Sequence, residues 1–553
     1  MRRPATVTRT ARSPLRTKSV AGSRVSDGAS LPSPVKGWDA ISPLASMPAD
    51  RAVVLDNWFP QPGYIEVRRG HKVHVGALPA SPVESLLVYN GLTTVTSKLF
   101  AVVGGGIYDV SSSGAAPAAS VTSLSSNRWQ YVNYTNSSGT HFLWACSGSD
   151  APQIFNGSAW SNPTITGITS SDIINVNVHK NRLWFCLRDS MKAAYLPTDS
   201  IQGAATVFNL GSIMWKGGYL VSMATWTHDA GSGPDDYAVF MSSRGQAAVY
   251  AGTDPSSANT WSLVGVYDLG APLGFRCFTK VAGDLALINL EGVLPFSIAR
   301  AADRGAAAAI AITANINNAM NLAARSYAGN FGWELCPYSK GTRAILNVPI
   351  QEGSLQHQYV MNTITGAWCR FTGMNANCWA VFKDNLYFGG NSTFVYQADI
   401  GSVDVTQQVS AQGQAAYNYL RSRGNIKQAK MIQPLLTTDS SVSPSIGIST
   451  DFRDNAVLGT PSSASTPAAL YDSAVYDVDI YPVESRNVSD WTTVSGVGQA
   501  LSVHFRARTG PLYNSAVWGV SDWGSDAWSA STSGDVTMQL NGFNLIYEMG
   551  EFL

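Results

Sequence analysis

Charge is what this sequence has least of. Asp, Glu, Lys and Arg make up 13% of its 553 residues, about half the share of roughly 25% usual in soluble domains. Coiled coils and long helical bundles, which are built from Glu, Lys, Ala and Leu, are excluded by that shortage. Disorder is excluded too, because 45% of the residues are hydrophobic and the formal net charge is zero. No apolar run approaches the roughly 18 residues a membrane-spanning helix needs, so no stable membrane insertion is expected. The first residues lack the apolar stretch of a secretory signal. The six cysteines include no CxxC pair and read as buried, reduced thiols. The seven histidines form no HxxxH or HExxH group. His71 and His74 stand three apart with no acidic or Cys partner at ligand spacing, so no metal site is expected. P-loop, dinucleotide, nucleophile-elbow and zinc signatures are missing as well, and no catalytic residue or cofactor is expected.

What is abundant is Gly, Trp and Tyr, at 50, 16 and 22 residues, in a background of Ser, Thr and Asn. Short apolar runs recur, each turning at Gly, Asn or Asp into a second run that ends in an aromatic. Lys98–Val103 turns at Gly104-Gly105-Gly106 into Ile107-Tyr108, Tyr237–Phe240 turns at Arg244-Gly245 into Ala248-Val249-Tyr250, and Asn385–Phe388 turns at Gly389-Gly390 into Phe394-Val395-Tyr396. These are hairpin signals. They return at intervals of roughly 40–60 residues, the spacing of four-stranded propeller blades, with neither a WD nor a kelch signature. The expected fold is all-β: a β-propeller over 85–400, an additional β-rich platform domain over 401–553, and an N-terminal platform segment over 31–84. One amphipathic helix is expected near 312–326, with Ile312, Ile316, Met320 and Ala323 or Ala324 on its apolar face.

Charge is balanced overall and uneven locally. Arg2, Arg3, Arg9, Arg12, Arg16, Lys18 and Arg24 precede the first acid, Asp27, so residues 1–30 read as a basic flexible arm. Without those seven the body holds 30 basic and 37 acidic residues. The arm has three readings: a solubilising tail, a docking arm for an acidic partner or nucleic acid, or an organellar transit peptide. Beyond Arg508 no basic residue remains. In that stretch Asp522 and Asp526 are candidates for acids facing a channel. Trp518, Trp523 and Trp528, five residues apart in a Gly/Ser/Asp setting, suit a subunit interface, though they could also stack sugar rings. A second basic cluster follows Tyr417-Asn418-Tyr419-Leu420: Arg421, Arg423, Lys427 and Lys430.

Three stretches together resemble the short-tailed phage tail proteins described as packaged-DNA stabilisation or tail tubular protein B-like, the tail nozzle. The first runs from Trp38-Asp39-Ala40-Ile41-Ser42-Pro43 through Val54-Leu55-Asp56-Asn57-Trp58-Phe59-Pro60 to Arg68-Arg69-Gly70. The second is Gln358–Phe371, with Thr365-Gly366-Ala367-Trp368-Cys369-Arg370, and the third is Tyr417 through Lys427. The resemblance implies a propeller with a β-rich platform, six copies in a ring beneath a portal and adaptor, tail fibre or spike neighbours, and a lumen through which genomic double-stranded DNA passes. It implies a structural, non-enzymatic virion protein located in the tail. The acidic body suits a conduit, since a basic wall would bind phosphates through counterion release. The basic arm departs from the family pattern. A propeller-type glycan-binding protein or glycoside hydrolase is the competing expectation, because paired carboxylates are set by spatial rather than sequential spacing. A cellular propeller scaffold with a targeting arm is a third.

Overall fold

The computed structural model describes residues 26–229, 234–281, 283–300, 306–438, 442–459, 461–463, 486–509 and 537–552. The described chain is almost entirely β-structure, divided among many sheets, most of them small and mostly antiparallel.

Seven of these sheets form a closed, propeller-like circuit. Their first strands are Ser85–Tyr89, Gln130–Thr135, Ile173–His179, Leu220–Asp229, Phe278–Val281, Glu334–Tyr338 and Ala376–Phe382. Each of these packs against its successor's sheet, and the seventh returns to the first. The last sheet is completed by His71–Gly76, which pairs antiparallel with Val395–Ala398. An early segment thus closes the ring on its final sheet, although the sequence pattern groups 71–84 with the platform. Such closure stops the terminal sheet from being left as an open edge.

Burial explains why these strands show little apolar/polar alternation. Each sheet is sandwiched between two neighbours, so both faces are dry. Along Arg182–Leu187, Trp184 packs toward the fourth sheet while Phe185 packs toward the second. Leu285 and Leu287 likewise face one cluster, and Ala286 and Ile288 the opposite one. Successive side chains point to opposite faces of a strand, which makes this division automatic. All six cysteines lie buried and unpaired in these layers.

The fifth sheet has three strands, and helical turns follow it. The expected helix is present but starts later: a 3-10 turn at Ala314–Ile316 leads into an α-helix at Asn317–Tyr327. Ile316, Met320, Ala323 and Ala324 are buried, as the spacing predicts, the polar Asn317 is buried with them, and Ile312 precedes the helix in a turn.

The sixth sheet does not stop at the ring. Its outer strand, Trp368–Phe371, pairs with Ala52–Asp56, which leads on to Ser410–Ala415, Leu501–Arg508 and Ser445–Thr450. A second sheet, built on the long antiparallel pair Asn425–Thr438 and Met538–Phe552, packs over this extension, with Ser26–Pro32 along one edge. Trp58, Phe505 and Phe543 pack between the two layers, edge-on and tilted, at centroid distances of 5.5 and 5.4 Å.

Candidate functional site

Residues from the first two stretches of the sequence resemblance converge on one junction between the ring and the two-layered region. Asn57 adopts φ 58°, a left-handed conformation that Asn tolerates better than most residues. Its amide is fully used. Nδ2 donates to Thr372 Oγ1 at 3.0 Å and to the Ser410 carbonyl at 2.8 Å, and Oδ1 accepts from Arg68 Nε and from the Thr372 N–H. Beside it, the Asp56 carboxylate takes a bidentate pair from Arg370 at 2.7 Å and a third bond from Gln412 at 2.8 Å. The backbone of Trp38 donates to the Trp368 carbonyl, so two motif segments separated by more than 300 residues are directly joined.

Arg68 is 2% exposed. All five of its N–H donors are engaged: Nε with Asn57, Nη1 with the Arg69 carbonyl and Asp404, and Nη2 with the Thr372 carbonyl and Asp404. Burial alone would raise the Asp404 carboxyl. The charge and hydrogen bonds of Arg68, with a further bond from His71, outweigh that and bring it down to about 2. Gly373 leaves room for the pair, because a Cβ there would touch both Arg68 and Asp404. These groups spend their hydrogen-bonding capacity on one another, which suits a rigid joint.

A second cluster closes one end of the ring's axis. Arg276 leads into the fifth sheet's first strand, and its guanidinium reaches Glu334 of the sixth sheet at 2.8 Å, Ser85 of the first at 2.9 Å, and the carbonyls of Glu84 and Trp129. Since the fifth sheet lies across the circuit from the first and second, this side chain spans the axis. Arg128 lies above Phe331 at 4.3 Å and pairs with Glu84 and Glu352, and Arg276 approaches the same ring at 5.4 Å. Nothing in the sequence marks Arg276: it is a lone Arg in an ordinary strand lead-in.

Toward the other end, the third, fourth and fifth sheets surround a depression of about 600 Å³ lined by Asn177, Lys180, Thr225, Thr227, Asp236 and Lys280, among others. Asp236 is its one lining carboxylate and pairs with Lys180 at 3.3 Å. Burial would raise the Asp236 carboxyl, but bonds from Thr227 and Lys180 bring it below the usual range. Below it, His179 is pushed down to about 4, first by burial and then by the Lys180 charge. Among the described residues no group of three or more His, Cys, Asp or Glu could hold a metal ion.

The remaining sequence-predicted residues fall elsewhere. Arg2, Arg3, Arg9, Arg12, Arg16, Lys18 and Arg24 of the arm lie outside the described residues, as do Trp518, Trp523, Trp528, Asp522 and Asp526.

No family model matches the chain, and no curated protein sequence does. Solved structures resemble it only in outline. One is the crystal structure of BBS1N in complex with ARL6DN, at 9% identity over 61% of this chain and 100% of that one, with a TM-score of 0.34. Sqt1 of Saccharomyces cerevisiae matches at 9% identity over 60% and 99%, with a TM-score of 0.33. The exo-beta-1,3-galactanase of Phanerochaete chrysosporium matches at 10% identity over 75% and 98%, with a TM-score of 0.23.

Proposed function

We propose that this chain is a structural virion protein, the subunit of a ring-shaped tail nozzle in a short-tailed phage, which holds packaged DNA and lets it leave on infection. In this reading six copies form the ring, an adaptor sits above, fibres or spikes attach to it, and the genome passes without sequence-specific contact. The protein is not an enzyme and takes no cofactor. One observation carries the proposal. Two of the three stretches whose sequence resembles that family meet at the Asp56–Asn57–Arg68–Arg370 junction, where Asp404 joins them from outside, so that part of the resemblance falls on residues that fix how the ring joins the two-layered region. A scattered, accidental likeness would have no reason to coincide with one buried network.

The experiment is electron microscopy of the purified chain, alone and with its adaptor. A closed multi-copy ring with an opening wide enough for a DNA duplex is expected. A strict monomer under all conditions would refute the reading.

The axial depression gives the glycan reading its one specific foothold. Glycoside hydrolysis requires two carboxyl groups about 5–9.5 Å apart, whereas the lining supplies Asp236 alone. Hydrolysis of a host polysaccharide by the purified protein, abolished by Asp236→Asn, would displace the structural reading.

A further inference from the structure

Every sheet of the ring has an outermost strand, whose outward N–H and C=O groups can pair with another chain unless something prevents it. Six of the seven are protected by cover or by shortness. In the first sheet, the Ile107 N–H donates to the Val121 carbonyl and the Ser120 N–H to the Ile107 carbonyl. The second and third sheets end in strands of only two and four residues, Trp160–Ser161 and Thr206–Asn209. In the fifth, the Val293 N–H donates to Thr313 Oγ1 and the Val293 carbonyl accepts the Ile312 N–H. The outer strand of the sixth runs on into the two-layered region, and that of the seventh, His71–Gly76, is flanked by Gly114–Ala115 and Val403–Asp404.

The fourth sheet is the exception. Its outer strand, Trp261–Asp268, has eight residues and pairs with no further strand among the described residues. A bulge at Val264 interrupts its inner ladder at one position, and Leu263 and Val264 stand 43% and 45% exposed. Ser262 through Tyr267 include no charge and no proline, the residues that usually protect an edge. The flanking Asp268 is paired with Lys216. The two-layered region holds a second bare edge. Thr492–Gly498 pairs with Asn425–Thr438 on one side and with no described strand on the other. It too lacks charge and proline, and Val497 is 58% exposed. Its inner face is fixed, with Val494 buried in the core and Gly496 so close to Ile448 that a Cβ would stand 2.9 Å from it. Ser26–Pro32, another outer strand of that region, carries both Asp27 and Pro32.

We propose that Trp261–Asp268 of one copy pairs edge to edge with Thr492–Gly498 of a second copy of this chain. The inference rests on the multi-copy ring reading above and names a contact that would close that ring. A strand edge specifies its own occupant, because outward main-chain groups are met by another extended backbone. The two edges match in length, at eight and seven residues. They match in charge as well: the paired stretches are neutral, so joining them strands no ion in the interface. They also lie on different parts of the subunit, one on the fourth sheet and one on the region that extends the sixth. A closed ring of copies requires such a contact between unlike patches. Trp261–Asp268 pairing with its own counterpart would be two-fold and would stop at a dimer.

Sedimentation velocity on the full chain tests this with Val264→Lys and Val497→Lys, each placing a charge on one of the two edges. Wild type is expected to form rings. Each variant should raise the concentration needed for assembly at least about tenfold, with unchanged circular dichroism and melting. The double variant should add little, because both changes blunt one contact. A bismaleimide should link Val264→Cys/Val497→Cys into a ladder of multimers, while either single variant stays unlinked, because the six native cysteines are buried. Rings that form normally in both lysine variants would overturn the pairing and leave the nozzle reading standing. Loss of assembly in one lysine variant alone, or linked dimers from a single cysteine variant, would assign that edge to another occupant and overturn the pairing too. A strictly monomeric wild type would refute the nozzle reading and this contact with it.

Discussion

Replacing Arg276 with Met tests whether the axial cluster holds the seven sheets together. The guanidinium bonds Glu334, the Ser85 hydroxyl and two backbone carbonyls, so one substitution breaks contacts to the first, second and sixth sheets at once. Glu334 is then left with its charge in a site where the pair is only 17% and 15% exposed. Removing one partner of a buried ion pair costs about 3–5 kcal/mol. Residual solvent access at the axis favours the lower end, so about 3 kcal/mol is expected. Arg276→Met/Glu334→Leu removes both charges and should recover most of the loss, giving a coupling energy of about 2 kcal/mol in a double-mutant cycle. The sign of the pH dependence is an independent check. Burial raises the Glu334 carboxyl, a tendency Arg276 opposes. Without Arg276 the folded protein takes up a proton at Glu334 more readily than the unfolded chain. The cost should therefore shrink as pH falls toward 5 and be largest above neutrality. Urea denaturation followed by Trp fluorescence at pH 5 and 8 measures both effects. A loss below about 1 kcal/mol, or one identical at the two pH values, would refute the idea that this ion pair fastens the ring.

Three further predictions concern other buried groups. Asp404, at about 2, has a folded pKa below the ordinary carboxylate value; its contribution of about 2 kcal/mol is present above pH 4 and lost as pH falls toward 2, and Asp404→Asn should remove that portion of an acid-unfolding profile. His179, pushed down to about 4, stays neutral in the fold while the unfolded chain protonates near 6.5, so stability should fall by about 3 kcal/mol between pH 6.5 and 4; a His179 ring titrating at 6 or above in an NMR experiment would contradict this. Trp58 is 1% exposed and packs on Phe505 at 5.5 Å. Trp58→Ala should cost about 3–5 kcal/mol, and a thermal melt within a degree or two of wild type would show that the cavity collapses freely.

The strands were legible because a small sheet buried on both faces is written locally, as a short apolar run between turn residues. Trp184 and Phe185 are adjacent in sequence and serve opposite layers, so hydrophobic content alone reveals the strand. Ring closure was not legible. The pairing of His71–Gly76 with Val395–Ala398 joins segments over 300 residues apart, and neither strand carries a mark of its partner. The helix start shifted because Thr313 and Ala314 open a 3-10 turn, whose tighter spacing the 3.6-residue pattern cannot register. At the junction, Asp56, Asn57, Arg68 and Arg370 were visible only as members of the stretches that resemble the tail-nozzle family. Asp404, which neutralises Arg68, lies in a two-residue strand with no pattern of its own. Arg276 was invisible for a simpler reason: a buried ion pair is set by three-dimensional proximity, and Glu334 stands 58 residues away.

The occluded axis constrains how a ring of such subunits could conduct DNA. Arg276 and Arg128 cross the circuit at one end with Phe331 between them. The depression at the opposite end is a pocket of about 600 Å³ among three of the seven sheets, far too small for a duplex. A passage through the subunit's own ring would require breaking contacts worth several kcal/mol per copy. On the nozzle reading, the duct is therefore enclosed by several copies, each a solid wall element. The residues that matter for transit are then those turned toward the common axis of the assembly, and the charge that governs sliding is the surface charge there, not that inside the circuit. Acidic-to-neutral substitutions confined to the duct wall should then slow DNA release and make it more salt-dependent. The same substitutions inside the circuit, at Glu334 or Asp236, should leave release unchanged and alter only folding stability. Release kinetics from assembled particles separate the two, and an effect of Asp236→Asn on release at unchanged stability would put the DNA path back inside the subunit.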